Sequence, residues 1–224
     1  LGCAFILNRA ALALSLTACA GTMNNSMADA ASDVTFTFTD SGVTAAGETD
    51  TGYEIDDTAL TITDSGTYTV SGSCADGSIK VKKGTTGVTL VLDGLTLTSE
   101  NTAAIKCKDG SLVTLCGDGE LTITANGKNG IKSGATTDED GEALLTIRDL
   151  TLNIDAPVND AINAEQLLNV ESGTLTSDAA DDAIHCDLVL NIGADGTDGP
   201  PVIVAWKEFI AAVAVKSGIS VRFT

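Results

Sequence analysis

The sequence predicts an all-β protein whose main domain is a right-handed parallel β-helix, a solenoid with three short strands per coil. The first observation is a short phrase centred on isoleucine that recurs five times in the 224 residues. Its anchors lie 26, 26, 31 and 22 positions apart, at Ile79, Ile105, Ile131, Ile162 and Ile184. Self-similarity at such a period is typical of a solenoid, in which each repeat stacks on the last. The right-handed sense follows the general preference of parallel crossover connections.

Composition is the second observation. Glycine occurs 23 times against three prolines, and only 4% of the residues are aromatic. Frequent threonine, valine, leucine and isoleucine favour short strands joined by tight turns. A narrow solenoid interior, filled by stacked aliphatic side chains, does not need the aromatic core that a compact sandwich usually has. Leucine-rich repeats share the period, but the sequence shows neither an asparagine ladder nor a helix-forming half-repeat.

Residues 1–18 predict a signal peptide. One basic residue, Arg9, precedes an apolar run at residues 10–16 that is too short to span a bilayer. The run leads into Leu-Thr-Ala-Cys at residues 16–19, which resembles a bacterial lipobox, the site where Cys19 would receive a lipid. An ordinary signal peptide cleaved nearby is the alternative. Residues 19–32 then predict a lipidated cysteine and a flexible tether, so we expect an exported protein that contacts the membrane only through its lipid anchor at the cell surface.

The remaining chain divides into a cap, a solenoid and a tail. Residues 33–73 predict an N-terminal β cap, needed because the first coil would otherwise expose its apolar end. Residues 74–199 predict the parallel β-helix, each repeat combining an aliphatic strand, a threonine-rich strand and the isoleucine phrase. Pairs such as Asp-Gly at residues 93–94 favour tight corners. The pattern stops after residue 199, so residues 200–224 are interpreted as an atypical tail, either a truncated or out-of-frame end or a short amphipathic cap.

Side chains of the isoleucine phrase sort into columns, because strand residues alternate between inward and outward positions. The isoleucines form one inward column, and a second comprises Val81, Cys107, Ser133, Ala164 and Cys186. The outward column between them comprises Lys80, Lys106, Lys132, Asn163 and His185. A further outward column comprises Lys82, Lys108, Gly134, Glu165 and Asp187. Cys107 and Cys186 lie three coils apart at about 4.8 Å per coil, so we expect interior thiols there rather than a disulfide.

The first outward column predicts a ligand-binding face. Stacked lysines repel one another by roughly a few tenths to 1 kcal/mol, so a face that carries Lys80, Lys106 and Lys132 favours an anionic ligand. His185, at the far end of the column, is assigned to the same face. A solvated surface, whose lysines splay apart and discourage edge pairing, is the alternative.

Four carboxylates predict a metal site towards the end of the repeats: Asp160, Asp181, Asp182 and Asp187. Clustered carboxylates raise one another's pKa unless a cation neutralises them, and Ca²⁺ accepts about six to eight oxygen ligands. Asp160 and Asp182 each stand two residues before an isoleucine, so they reach the surface only if a corner turns them outward. Capping of the corners by aspartate is the alternative interpretation. No Cys-x-x-Cys pair supports a zinc site.

Charge narrows the choice of partners. The formal net charge is −19, which argues against nucleic acid because a phosphate backbone requires a basic face. Seven of the twelve basic residues lie between Lys80 and Lys132, whereas residues 149–206 hold eleven acidic residues and no Lys or Arg. A polyanionic chain therefore needs the early lysine face or bridging Ca²⁺, since the late coils would repel it.

Several motifs occur in order within residues 34–199. They are Gly-Thr-Tyr-Thr-Val-Ser-Gly at 66–72, Val-Thr-Leu-Val-Leu-Asp-Gly-Leu at 88–95, and the phrases Asp-Ala-Ile at 160–162 and Asp-Asp-Ala-Ile at 181–184. As an ordered set they resemble a bacterial family of surface carbohydrate-binding β-helix proteins, commonly lipid-anchored and related in fold to pectate lyases. The resemblance implies Ca²⁺ and plant cell-wall polysaccharides, either acidic pectic chains or cellulose. It also implies that Asp160, Asp181 and Asp182, which match the acidic repeat phrase, bind the Ca²⁺.

Two functions follow from these observations. The first is non-catalytic, calcium-assisted binding of an extended cell-wall polysaccharide at the bacterial surface, with no catalytic residue assigned; a structural surface protein or an adhesin for host glycans would share its features. The second is a calcium-dependent, pectate-lyase-like polysaccharide lyase, in which Lys106 or Lys132 removes the proton beside a uronate carboxylate while Ca²⁺ acidifies it. The repeated phrases contain no arginine, which favours binding over the lyase.

Overall fold

A computed structural model describes residues 34–47, 49–117, 128–136 and 141–193, together with the backbone of residues 202–205 and 210–212. The predicted signal peptide, Cys19 and the tether lie outside the described residues, as does the predicted threonine-rich strand at residues 121–123. Within the described ranges, no helix is long and apolar enough to cross a membrane.

The described residues form eighteen β-strands. The first nine are β1 (Val34–Thr39), β2 (Gly42–Gly47), β3 (Tyr53–Asp56), β4 (Ala59–Ile62), β5 (Gly66–Cys74), β6 (Ser78–Val81), β7 (Val88–Leu97), β8 (Ile105–Cys107) and β9 (Leu112–Gly117). The other nine are β10 (Ile131–Ser133), β11 (Leu144–Ala156), β12 (Ile162–Ala164), β13 (Leu167–Val170), β14 (Gly173–Ala179), β15 (Ile184–Cys186), β16 (Val189–Ile192), β17 (Val202–Ala205) and β18 (Ile210–Ala212).

These strands stack in parallel into a β-solenoid of about five turns, which confirms the predicted all-β, parallel β-helix class. One sheet runs β16-β13-β11-β9-β7-β5-β1-β2, with β14 and β17 alongside; the second runs β18-β15-β12-β10-β8-β6-β4-β3. The aliphatic and threonine-rich segments lie in the first sheet and the isoleucine phrases in the second. In β7 and β11 the aliphatic and threonine-rich segments form one continuous strand, which runs through the corners at residues 93–94 and 148–149 without leaving the sheet.

The two ends of the solenoid differ in strand direction. At the N-terminal end, β2 and β3 pair antiparallel with β1 and β4 and terminate the two sheets. Parallel stacking already begins there, because β1 pairs with β5 and β4 with β6. At the other end, β17 and β18 pair in parallel with β14 and β15, so parallel pairing extends past residue 199.

The core consists of the predicted inward columns. All five anchoring isoleucines are at most 1% exposed, and the residues of the column two positions later are at most 2% exposed. Cys107 and Cys186 are free and buried, which confirms the prediction of interior thiols, and burial raises the pKa of Cys107 to about 12. Cys74 is also a free, buried thiol, and Cys116 is buried as well.

One feature of the first sheet was not predicted. Asn169 and Asn191 stack in register on β13 and β16, and Asn191 Nδ2 donates a hydrogen bond of 2.8 Å to Asn169 Oδ1. This is a short asparagine ladder, which the sequence analysis missed because the preceding coil carries Thr146 in the same column. The ladder therefore has two members and no repeat-wide pattern.

Candidate functional site

The candidate site is the outward surface of the second sheet, which we call the charged face. Parallel register places Lys80 beside Lys106, Lys106 beside Lys132, Lys132 beside Asn163 and Asn163 beside His185. The flanking residues on both sides are buried isoleucines and the second inward column, so each of these five side chains points away from the core. The structure thus brings the predicted ligand-binding residues together in one column, which continues past His185 to Ala211.

The early part of the charged face is basic. The pKa of Lys106 is lowered, chiefly by partial burial and then by the positive charges of its neighbours Lys108, Lys132, Lys80 and Lys128. Repulsion among these lysines would be relieved by an anion, because a bound carboxylate offsets like charges that lie side by side. Neither Lys80 nor Lys106 has a salt-bridge partner among the described residues.

Lys132 marks the boundary between the basic and acidic parts of the face. Its Nζ lies 2.6 Å from Glu165 Oε1 of the next coil, and each side chain is about one third exposed. An exposed pair of this kind contributes about 0–1 kcal/mol to stability. The same pair leaves Lys132 less available to an external anion than Lys80 or Lys106.

The late part of the face holds a carboxylate cluster. Asp160, Asp181 and Asp182 each offer an oxygen atom, and these three atoms lie within 4.8 Å of one another. Asp181 is exposed, whereas Asp160 is 4% and Asp182 9% exposed. Three of the four predicted metal ligands therefore converge.

Asp160 is held at the corner by two hydrogen bonds. Its Oδ1 accepts 3.1 Å from the backbone N–H of Asp182, and its Oδ2 accepts 2.8 Å from Asn163 Nδ2. Asn163 is outward on the strand, so the carboxylate of Asp160 reaches the charged face although its residue is buried. The corner thus turns the side chain of Asp160 outward, and the same carboxylate caps the backbone N–H of Asp182 on the next coil.

The fourth predicted metal ligand, Asp187, lies elsewhere. Its Oδ1 is 2.7 Å from His185 Nε2, while His185 Nδ1 is 3.2 Å from Asp182 Oδ2. The imidazole therefore stands between Asp187 and the carboxylate cluster. The pKa of His185 is raised, with the hydrogen bond to Asp187 as the largest cause, and burial opposes this effect.

Asn129 adds an oxygen that the sequence analysis did not assign. It stands two residues before Ile131, so it shares a column with Asp160 and Asp182. The coils of Asn129 and Asp160 are adjacent, because the backbone N–H of Gly130 donates to the backbone carbonyl of Asp160 at 3.0 Å. Asn129 is 5% exposed, and its Oδ1 has no hydrogen-bond partner among the described residues. A buried carbonyl oxygen without a donor is costly and is a ligand type that Ca²⁺ accepts. The three convergent carboxylates fit a hard cation, and Asn129 lies at the same repeat position on the preceding coil.

Sequence spacing contained the signal for Asn129, because it falls in the same repeat position as Asp160 and Asp182. Reasoning by residue type passed over it, since an amide carries no charge. The contact of His185 with both Asp182 and Asp187 had no comparable signal. It depends on side-chain rotamers that the repeat pattern does not specify.

A model of the family described as "carbohydrate-binding domain-containing protein" matches residues 56–115 and 109–192. These segments cover more than half of the chain and nearly all of the coils just described. The protein is thus a β-solenoid, and the chain belongs to the carbohydrate-binding domain-containing protein family. Neither the curated proteins nor the solved structures gave a significant match to it. Family membership supports carbohydrate binding as the function and a polysaccharide as the partner.

Proposed function

We propose that the protein binds an extended anionic cell-wall polysaccharide of the pectic type along its charged face, assisted by Ca²⁺, and that it does not cleave it. The observation that carries this proposal is the parallel register. It stacks three lysines outward on the second sheet, and the cluster of Asp160, Asp181 and Asp182 lies at the corners that lead into later strands of that sheet. A flat ladder of coils suits a linear polymer better than a compact ligand.

The basic half of the face supplies the direct contacts. Successive coils place one lysine about every 4.8 Å, so several carboxylates of one chain can be contacted in succession. Each exposed ion pair contributes only about 0.2–1 kcal/mol, and affinity therefore depends on several contacts acting together. The described solenoid coils have no exposed aromatic residue, since the sequence has none between Tyr68 and Trp206, so charge and hydrogen bonding rather than ring stacking must supply recognition.

The acidic half of the face requires a cation to accept the same polymer. Asp160, Asp181, Asp182 and Asn129 would hold Ca²⁺, whose remaining oxygen ligands would be water or uronate carboxylates. Bound Ca²⁺ would offset two of the three negative charges and would offer its remaining coordination positions to uronate carboxylates, so that repulsion of a polyanion is reduced and the polymer can bridge to the ion. The lysines and the proposed Ca²⁺ both attract carboxylates, and for this reason we favour an acidic polysaccharide over cellulose, which is uncharged.

Anchoring at the cell surface is part of the same proposal. The Leu-Thr-Ala-Cys sequence at residues 16–19 supports export and lipidation of Cys19. A lipid there would display the solenoid at the bacterial surface, next to an external polysaccharide. Metabolic labelling with an alkyne fatty acid would test this step, with Cys19→Ser as the control that should lose the label.

Binding to polygalacturonate is the central experiment. We expect retention in affinity electrophoresis with Ca²⁺, weaker retention with EDTA, and no retention on cellulose. The variant Lys80→Ala/Lys106→Ala should bind about 2- to 30-fold more weakly, because two ion pairs of about 0.2–1 kcal/mol each are lost. Lys83→Ala removes an exposed lysine outside both outward columns and should change little. Equal retention of the double variant and wild type, or retention that ignores Ca²⁺, would count against the proposal.

A lyase is the second candidate, and one observation favours it. The pKa of Lys106 is lowered by partial burial and neighbouring lysines, which is the direction that a general base requires. Incubation with polygalacturonate and Ca²⁺ should give no increase in the ultraviolet absorbance of unsaturated uronide. A sustained rise in absorbance that is lost in Lys106→Ala would show that the protein is a lyase and would overturn the proposal that it binds without cleaving.

A further inference from the structure

The second outward column of the charged face has an unusual order of charge. From the N-terminal coil onwards it reads Lys82, Lys108, Gly134, Glu165 and Asp187. Each of these residues donates its backbone N–H to a carbonyl of the preceding coil, at 2.9–3.0 Å. The ladder shows that the five residues occupy equivalent places on consecutive coils. The column is therefore two positive charges, a neutral centre and two negative charges.

The neighbouring outward column has the same polarity. Lys80 and Lys106 lie at its basic end, and His185, placed between Asp182 and Asp187, lies at its acidic end. Beyond these ends the column continues with the uncharged residues Thr61 and Ala211. Within the five coils the charge changes sign near the middle, and past Thr61 the row continues to the exposed Glu54 of β3.

We propose that the charged face pairs with the charged face of a second copy of this chain, with the two solenoids antiparallel. A twofold axis parallel to the strands, at the level of Gly134, reverses the order of the coils but keeps positions along each strand. It places Lys82 opposite Asp187 of the other copy and Lys108 opposite Glu165. Such an interface is isologous, so each contact occurs twice.

The centre of the face is occupied by an acidic side chain. Gly134 is buried, and a Cβ there would collide with the carboxylate of Asp109 from the preceding coil. The Asp109 side chains of the two copies would therefore lie near the axis and oppose the pairing, so that the attraction must come from the outer charges. Lys132, in the adjacent column, is already directed to its own Glu165 at 2.6 Å, which draws its charge away from the axis. Lys108 of the other copy must share Glu165 with Lys132, and Lys82 of the other copy must share Asp187 with His185, so each of these pairs contributes less than an isolated ion pair.

The size of the face makes the pairing weak. Five coils of about 4.8 Å and strands of three to four residues give roughly 300 Å² per copy, less than half of what a stable complex buries. The net charge of −19 on each copy also opposes association. At about 0.1 M salt the Debye length is about 10 Å, so the distant charges are screened while charges that meet across the interface still act. We therefore expect a transient dimer that high salt dissociates.

This inference does not rest on the proposed function, and its test omits polysaccharide and uses EDTA to keep divalent cations from the carboxylate cluster. Sedimentation velocity at about 0.1 M salt should show a mass that rises with wild-type concentration. Two charge-swapped variants should each remain monomeric: K82E/K108E, whose column becomes entirely negative, and E165K/D187K, whose column becomes entirely positive. An equimolar mixture of the two should form a heterodimer, because all four pairs across the axis then attract.

The matched control is D155K/D178K, which changes charge as much as E165K/D187K but at exposed positions of the first sheet. Mixed with K82E/K108E it should give no heterodimer. If circular dichroism shows that a double variant does not fold, the single variants K82E and D187K, which alter only exposed residues, provide the same test. A mixture of the swapped variants that stays monomeric, or an equal effect of the control, would overturn the proposal.

Discussion

At the residue scale, neighbours rather than residue type determine what each acidic group can do. Asp160, Asp182 and Asp187 look alike in the sequence. In the structure Asp160 caps the next coil and reaches the charged face through Asn163, whereas Asp187 is paired with His185. Asp187 lies outside the carboxylate cluster because the imidazole of His185 stands between it and Asp182.

His185 offers a direct measurement at this scale, because it is the single histidine of the chain. Its imidazole resonances should titrate in EDTA with a pKa above the ordinary value of 6.5. Asp187→Asn should lower that pKa, since the hydrogen bond to Asp187 is the largest cause of the shift. Asp155→Asn, at an exposed site on the other sheet, should leave the titration unchanged. An unchanged pKa in Asp187→Asn would contradict the contact.

The same contact predicts how stability depends on pH. A pKa that is higher in the folded than in the unfolded state stabilises the fold below the unfolded value and loses this contribution as pH rises through the folded value. The free energy of unfolding of wild type should therefore exceed that of Asp187→Asn at about pH 5 to 6, below the reference histidine pKa. The difference should shrink above the raised pKa of His185. Urea denaturation across this range checks the sign.

At the element scale, corner glycines allow one coil to sit on the next. Gly173 has φ +104°, and a Cβ there would collide with the backbone carbonyl of Leu150 on the adjacent coil. Gly117 is in the same situation against Leu92 O. The Ser-Gly turn at residues 172–173 is therefore needed for close stacking as well as for its backbone angle.

Gly173→Ala should destabilise the fold by about 2–4 kcal/mol, which combines a strained left-handed backbone with displacement of a neighbouring strand. Gly84→Ala is a matched control, because Gly84 also has positive φ, +74°, but a Cβ there would meet no atom within 4 Å. It should cost only about 1 kcal/mol. Chemical denaturation of both variants checks the difference, and equal losses would show that contact with the adjacent coil is unimportant.

At the scale of the whole molecule, stacking couples distant coils and separates charge along the solenoid axis. Each coil contacts mainly its neighbours, so stability is approximately a sum of coil and interface contributions. The basic coils lie towards one end of the charged face and the acidic coils towards the other. A cation bound to the acidic coils therefore both removes repulsion there and stabilises the interface between the coils of β12 and β15.

Calcium should accordingly raise the thermal unfolding temperature. At a concentration one hundred times its dissociation constant, a single bound ion stabilises the folded state by about 2.7 kcal/mol. Asp182→Asn should remove most of this shift, whereas Asp178→Asn, an exposed aspartate on β14, should retain it. Differential scanning calorimetry with Ca²⁺ and with EDTA measures the effect. A shift of the same size in Asp182→Asn would place the ion elsewhere.

Much of the fold followed from periodicity. The spacing of Ile79, Ile105 and Ile131 predicted the second sheet and its register, because side chains that alternate in a strand must stack in columns when coils repeat. The two-membered asparagine ladder was not predicted, since a pair does not make a repeat. Continuation of parallel pairing into β17 and β18 was likewise not evident, because Asp-Gly corners are missing there although alternating apolar residues remain.

The sequence by itself determined the class of architecture, the inward and outward columns and the membership of the lysines in one face. These depend on a period of two within strands and on a repeat length, both of which are linear properties. Only the tertiary structure decided which aspartates meet, that Asn129 Oδ1 has no hydrogen-bond partner in the part of the chain that the structure describes, and that His185 separates Asp187 from the cluster. Those outcomes depend on how corners turn and on which rotamers neighbouring coils allow, and both arise from contacts between residues far apart in the chain.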